Sequence, residues 1–303
     1  MTATVTFDEL FDPAFLTALS RWSLNARRVA GGGRHGERLS RDLGSGIEFK
    51  DYRPYSAGDD LRAIDWNLYR RLGKVFVRLF EVEEDLPIYL MPDISGSMFL
   101  RDSGPPSVIA ALRSTLALAA VGLNHHDAAG LFPFSDRLQV IFKPKTGHSQ
   151  IMTFARHLAR LAEAAPGPQT RLVPSLERLA SLNLRRGLLV IVSDFFDPGG
   201  VAALREALRP VRHRLLLVQL VRRADADPTV QGDVRLTDCE SGDAADLTIT
   251  PKILARYRAA YAKFNDELAD LARRRQARLL KIDVEADLVE QLSRLFDDGG
   301  FRL

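Results

Sequence analysis

Short apolar runs alternate with longer stretches of helical periodicity over most of the chain. From Leu86 onward the runs Leu86 to Met91, Ala128 to Phe134, Leu138 to Phe142, Leu188 to Val192, Leu215 to Val221 and Leu279 to Ile282 read as buried strands. Between them lie helical patterns near 107–123, 150–163, 173–182, 200–210, 252–275 and 286–296. That alternation predicts an α/β domain over 86–303, a doubly wound and mostly parallel sheet with helices on its faces. Phe134 to Leu138 is short enough for a hairpin, so one antiparallel strand is expected among the parallel ones.

Upstream the pattern is different. A helix is expected from about Pro13, because Asp12 can cap its free N–H groups and proline suits the first turn; Phe15, Leu16, Leu19 and Trp22 then share a face. After Arg28 the chain becomes GGGRHGERLSRDLGSG, too rich in glycine and charge to pack alone, and a loop follows from this. Strand-like pieces at Ile47 to Tyr52 and Val75 to Val82, separated by SAGDDLRAIDWN, predict an irregular β extension. Residues 1–85 are therefore read as one region, helix plus β extension, and 86–303 as another. Near the far end, Ile253, Tyr257, Tyr261, Phe264, Leu268 and Leu271 form one apolar stripe, and Arg273, Arg274 and Arg275 suit the negative end of that helix.

Composition narrows the class. With 303 residues, 46% hydrophobic and 27% charged, the chain is neither a disordered tail nor a disulfide scaffold. Its single cysteine, Cys239, cannot form an intrachain disulfide or a cysteine-based zinc site, which points to a reducing compartment. The N-terminus lacks a basic stretch followed by an apolar core, and the best apolar run, Val108 to Leu123, is interrupted by Arg113. A cytoplasmic location without a membrane span is the expectation.

Net charge is only +3, from 42 Lys and Arg against 39 Asp and Glu, so no nucleic-acid partner is expected. The distribution is uneven. Residues 205–223 carry six arginines and 224–247 seven acidic residues, which reads as complementary faces. Gly31-x-Gly33-x-x-Gly36 matches a dinucleotide fingerprint by letter only, since a helical pattern precedes it where a strand belongs. His125-His126 reads as a helix C-terminal turn.

The chemistry concentrates in Asp93-Ile-Ser95-Gly-Ser97-Met98, directly after one apolar run and before a helix. Asp194 follows a second run, and Thr170 lies in a turn before a helix. In a doubly wound sheet, ligands bind outside the carboxyl ends of the strands, where these loops belong. Two carboxylates and three hydroxyls are hard oxygen donors suited to magnesium. A capped helix start, in which the same side chains satisfy only backbone groups, is the alternative. Proline at position 92 removes a ladder donor, so the strand is expected either to end early or to tilt the loop.

Asp93-x-Ser95-x-Ser97, then Thr170, then Asp194, resembles the metal-ion-dependent adhesion site of von Willebrand factor A domains, Rossmann-like in their sheet. The resemblance implies Mg2+ or Mn2+ held by these five side chains, with an acidic side chain of a protein client at the open position. Upstream, Gly46-Ile-Glu-Phe49, Asp51-Tyr-Arg53-Pro-Tyr55, Gly58-Asp59-Asp60-Leu-Arg62 and Ile64-Asp65-Trp66 are similar to the DUF58 family of bacterial proteins. That resemblance implies a non-enzymatic adaptor beside a MoxR-type AAA+ ATPase. Arg53, Asp59, Asp60, Arg62, Asp65 and Trp66 form either a docking patch or an internal salt-bridge cluster. A metal-free scaffold is the second reading. A haloacid-dehalogenase-like phosphohydrolase using Asp93 is the third, although its acid would fall at Ser95.

Overall fold

The computed structural model describes residues 5–31, 47–56, 59–82, 86–101, 104–164, 167 and 169–297. Most of the glycine-rich stretch (32–46), with Gly46 and Gly58 of the upstream motifs, lies outside the described residues. The chain divides into two compact units, one of Met1–Gly31 with Leu86–Leu303, the other Gly32–Asp85.

Helix α1 (Phe7–Leu10) opens with a capping box between Thr6 and Glu9. Helix α2 (Pro13–Gly31) starts where the sequence predicts, with Asp12 Oδ1 accepting from the Phe15 amide at 2.8 Å. In the smaller unit, β1 (Ile47–Pro54) pairs antiparallel with β2 (Phe76–Val82), and α3 (Trp66–Leu72) lies between them in sequence. Asp65 fixes the start of α3: its Oδ1 accepts from the amides of Asn67 and Leu68 at 2.9 and 3.0 Å, and its Oδ2 accepts from the Tyr52 hydroxyl at 3.0 Å.

The larger unit continues with β3 (Pro87–Pro92), α4 (Ser107–Asn124), β4 (Ala128–Leu131), β5 (Phe142–Lys145), α5 (Gln150–Glu163), α6 (Leu172–Ser181), β6 (Leu188–Ser193), α7 (Gly200–Ala207) and β7 (Arg214–Val221). Then come α8 (Arg223–Ala226), β8 (Gly232–Thr237), β9 (Ala244–Ile249), α9 (Pro251–Arg274), β10 (Arg278–Asp283) and α10 (Leu288–Asp297). Six strands form one sheet in the order β10–β7–β6–β3–β4–β5, parallel except for β5. The chain enters at the centre on β3, winds outward through β4 and β5, then returns to β6 on the other flank. The carboxyl ends of β3 and β6 therefore border the crevice at which such sheets bind ligands.

Strand β3 runs through Pro92, so the early end that proline could have imposed does not occur. The Pro92 carbonyl accepts from the Phe134 amide at 3.0 Å, and the Asp93 amide resumes the ladder on Val192 at 2.9 Å. Alternate residues supply two cores: Ile88, Leu90, Val190 and Val218 face α4 and α5, while Tyr89, Met91, Ile191 and Leu217 face α6, α7 and α9. Helix α4 is long and apolar enough by length and composition to cross a membrane, with a mean hydropathy of 1.5, and 89% of it is buried in this core. Arg113, the residue that breaks its apolar run, donates to the carbonyls of Glu9 and Leu10 and to the carboxylate of Asp12.

The N-terminal helix belongs with the sheet rather than with the β extension. Phe15, Leu19 and Trp22 are buried in the first core, and the Trp22 indole N–H donates to Ser293 Oγ at 3.2 Å. Two further expectations are revised. The α9 stripe is buried at Leu268 and Leu271 but exposed at Ile253 and Tyr257. Among the described residues the ion pairs of the two stretches run elsewhere, Arg205 to Asp270, Arg223 to Asp283 and Asp227 to Arg258, although the charge of Arg222 does act on Asp225. Much of the acidic stretch is instead the hairpin β8–β9, a two-stranded sheet of its own, solvent-exposed at most positions.

Candidate functional site

At the end of β3 the chain turns through Asp93 into a short 3-10 turn, Gly96–Phe99. Asp93 is fully buried: its Oδ1 accepts from the Ser95 amide at 3.0 Å, and its Oδ2 accepts from Ser193 Oγ at 2.7 Å. Ser95 and Ser97 bring their hydroxyls within 3.1 Å of each other. Ser193, the last residue of β6, also accepts from the Phe195 amide at 2.9 Å, so one hydroxyl stitches the two strand ends together.

Asp194 follows on β6, its Oδ1 accepting from the Phe196 amide at 3.0 Å. Phe195 has a φ of +64°, a left-handed conformation that costs a bulky residue energy and persists only when its surroundings impose it. Here its ring is buried and the neighbouring Phe196 ring lies 5.0 Å from Phe264 of α9.

Thr170 comes from a third loop. Its amide and its hydroxyl both donate to the carboxylate of Glu240, at 2.8 and 2.7 Å. Glu240 in turn acts electrostatically on both Asp93 and Asp194. Burial, opposed by hydrogen bonds from Ser193 and Ser95 and reinforced by the charge of Glu240, pushes the Asp93 carboxyl up to about 6. Asp194 is pushed up to about 7, by burial first and then by the charges of Asp93, Asp225 and Glu240. Hydrogen bonds thus link Asp93, Ser95 and Ser97, while Thr170 is held by Glu240, whose charge acts on both Asp93 and Asp194.

Two residues that shape this crevice escaped the sequence reading. Ser193 was legible only as the polar end of an apolar run, and Glu240 lay in a stretch read for its charge alone. The donor set fits a hard divalent cation: one buried and one half-buried carboxylate that repel each other, beside hydroxyls that can donate or accept. Among the described residues, no group of three or more His, Cys, Asp or Glu side chains is spaced to hold a metal ion. Any cation there would depend on the hydroxyls.

Gly167 sets the position of the Thr170 loop. Its amide donates to the Ile94 carbonyl at 3.0 Å, and a Cβ there would stand 2.1 Å from the Cβ of Ser135. Gly167→Ala is expected to lower stability by about 1–3 kcal/mol through this overpacking. A chemical-denaturation midpoint equal to that of the unsubstituted chain would show that the two loops part freely.

In the smaller unit, the acidic residues of the upstream motif are engaged locally. Arg53 pairs with Asp59 at 2.7 Å and, with the Ser56 amide, holds its carboxyl below the usual range. Asp60 accepts from the Arg62 amide at 2.9 Å. Trp66 is exposed, edge-on to Tyr69 with ring centroids 6.2 Å apart.

Comparison with known proteins gives the lineage but no activity. The chain is 26% identical over 286 residues to uncharacterized protein Rv1480 of Mycobacterium tuberculosis and, equally, to uncharacterized protein Mb1516 of Mycobacterium bovis, covering 94% of this chain and 90% of each relative. Among solved structures, it is similar to the conserved hypothetical protein BatB from Bacteroides thetaiotaomicron, at 14% identity and a TM-score of 0.41, over 70% of this chain and 99% of that one. An aerotolerance-related membrane protein from Bacteroides fragilis aligns with a TM-score of 0.40, also at 14% identity, over the same shares. The family model described as protein of unknown function DUF58 matches residues 51–267, most of the chain, including the Arg53–Trp66 motif and the loops carrying Asp93, Thr170, Asp194 and Glu240. This chain belongs to the DUF58 family.

Proposed function

We propose that the chain is a protein–protein interaction module of the von Willebrand factor A type, without enzymatic activity, that takes Mg2+ or Mn2+ at Asp93, Ser95, Ser97, Thr170 and Asp194. The bound cation would supply a fixed positive charge, strengthened by burial, for a carboxylate of a client protein. One observation carries the reading: the fully buried Asp93 at the end of β3 and the half-buried Asp194 just after the adjacent β6 lie close enough to repel each other, and the Thr170-bound Glu240 carboxylate acts on both. Such an arrangement is costly alone and is offset by a cation.

Each residue has a defined part. The Ser95 amide and Ser193 hydroxyl hold the Asp93 carboxylate in one orientation, and the Phe196 amide donates to that of Asp194. Ser95, Ser97 and Thr170 offer neutral oxygens, so ligand number rises without adding charge. The family resemblance extends the reading to an adaptor, in the cytoplasm, for a MoxR-type AAA+ ATPase.

A thermal titration tests the metal. A site present only in the folded state adds RT ln(1 + [L]/Kd), about 2.7 kcal/mol at a hundredfold excess over Kd. Mg2+ or Mn2+ is expected to raise the melting temperature accordingly, and a chelator to reverse it and to release a MoxR-type ATPase in a pull-down. Melting and retention that ignore both cation and chelator would replace this reading with a metal-free scaffold.

A further inference from the structure

The hairpin β8–β9 is an appendage with its tip held down. Among the described residues its strands pair only with each other, and they are exposed along most of their length, Leu236 and Leu247 included. A lone two-stranded hairpin is marginal in water, so contacts of its tip decide where it rests. The tip itself is tightly built. Asp238 Oδ1 accepts from the amides of Glu240 and Ser241 at 2.7 and 3.0 Å, the Asp238 amide donates to the Asp243 carbonyl at 2.8 Å, and Gly242 takes a φ of +76°. This turn aims one side chain, Glu240, onto Thr170.

A second observation places the tip over the crevice. A Cβ built on Gly96, inside the Asp93–Met98 loop, would lie 4.0 Å from the Cys239 carbonyl. Beneath that cover, Asp93, Ser95 and Thr170 are 0%, 0% and 2% exposed. A client carboxylate cannot reach Thr170 while the tip is seated.

We propose that Glu240 is an internal ligand of this site, standing where a client's acidic side chain binds, and that the β8–β9 hairpin must lift for a client to enter. The inference rests on the interaction-module reading above and names the client feature: a glutamate carried on an exposed turn like the one at 238–243. It is a competition between two carboxylates for one place, so client binding and hairpin seating are mutually exclusive.

The experiment compares the full chain with Glu240→Gln, which keeps the shape of the turn, and with Asp238→Ala, which loosens the turn without touching the crevice. Mg2+ alone is titrated by calorimetry, then a synthetic peptide copying residues 236–245 with serine for the cysteine, while hydrogen exchange is followed over 232–249. Both variants are expected to bind Mg2+, to exchange faster over 232–249, and to bind the peptide about tenfold or more tighter than the unsubstituted chain, with a glutamine version of the peptide inert. Equal exchange over 232–249 in all three chains, or equal peptide affinity when all bind Mg2+, overturns the internal ligand. Absence of Mg2+ binding in all three overturns the metal site instead, and the exchange comparison still decides whether Glu240 seats the hairpin.

Discussion

In chelator at pH 7.5, Asp93→Asn is expected to melt higher than the unsubstituted chain and to gain nothing from added Mg2+. Asparagine keeps the size of the side chain and can still accept from the Ser95 amide, yet it removes a buried charge whose proton affinity has been raised by desolvation. The sign follows from linkage. A carboxyl whose folded pKa lies above its unfolded value binds more protons when folded, so its contribution is full below the unfolded value and is lost as pH rises through the folded one. For Asp93 the window runs from the ordinary carboxyl value of 3.8 to about 6, and for Asp194 it extends to about 7.

The chelated protein is therefore expected to lose stability from about pH 4 to pH 7, as the Asp93–Asp194 pair gives up its protons. Mg2+ should restore it at pH 7.5 and have little effect at pH 5, where protons occupy the same oxygens. Melting curves across this range decide the matter: stability that climbs with pH in chelator would mean that the carboxylates are stabilised by something other than a cation.

Trp22→Ala is expected to destabilise the larger unit by about 3–5 kcal/mol, the cost of emptying a fully buried aromatic site. The indole also loses its bond to Ser293 and its packing against Phe296, 5.3 Å away between ring centroids. Denaturation should report this as one cooperative loss across the sheet, because α2 and α10 share the core beneath α4. A variant that melts unchanged would restore the boundary at residue 85 that the sequence suggests.

That boundary shows where sequence reasoning stops. Strands with continuous apolar runs, such as Leu188–Ser193, were legible because burial on both faces leaves no polar alternation to confuse them. The antiparallel β5 was legible from a short connection, although it pairs a few residues later than the apolar run suggests. Helix α2 carried an apolar face that any neighbour could have covered, and adjacency in sequence pointed to the wrong one. At the site, Asp93, Ser95 and Ser97 share a loop, and Asp194 ends a strand, so spacing alone put them at one sheet edge. Ser193 and Glu240 depend on which strands are neighbours and on where a hairpin comes to rest, and neither leaves a local pattern.

The hydrogen bond from Ser193 to Asp93 joins positions a hundred residues apart, across the whole of β4, β5 and three helices. No fragment released by the ribosome before residue 194 can hold the crevice together, because one of its two walls has not yet been made. The pocket is thus a late product of synthesis, and any ligand that needs it would meet only chains whose central sheet has already closed around its first strand.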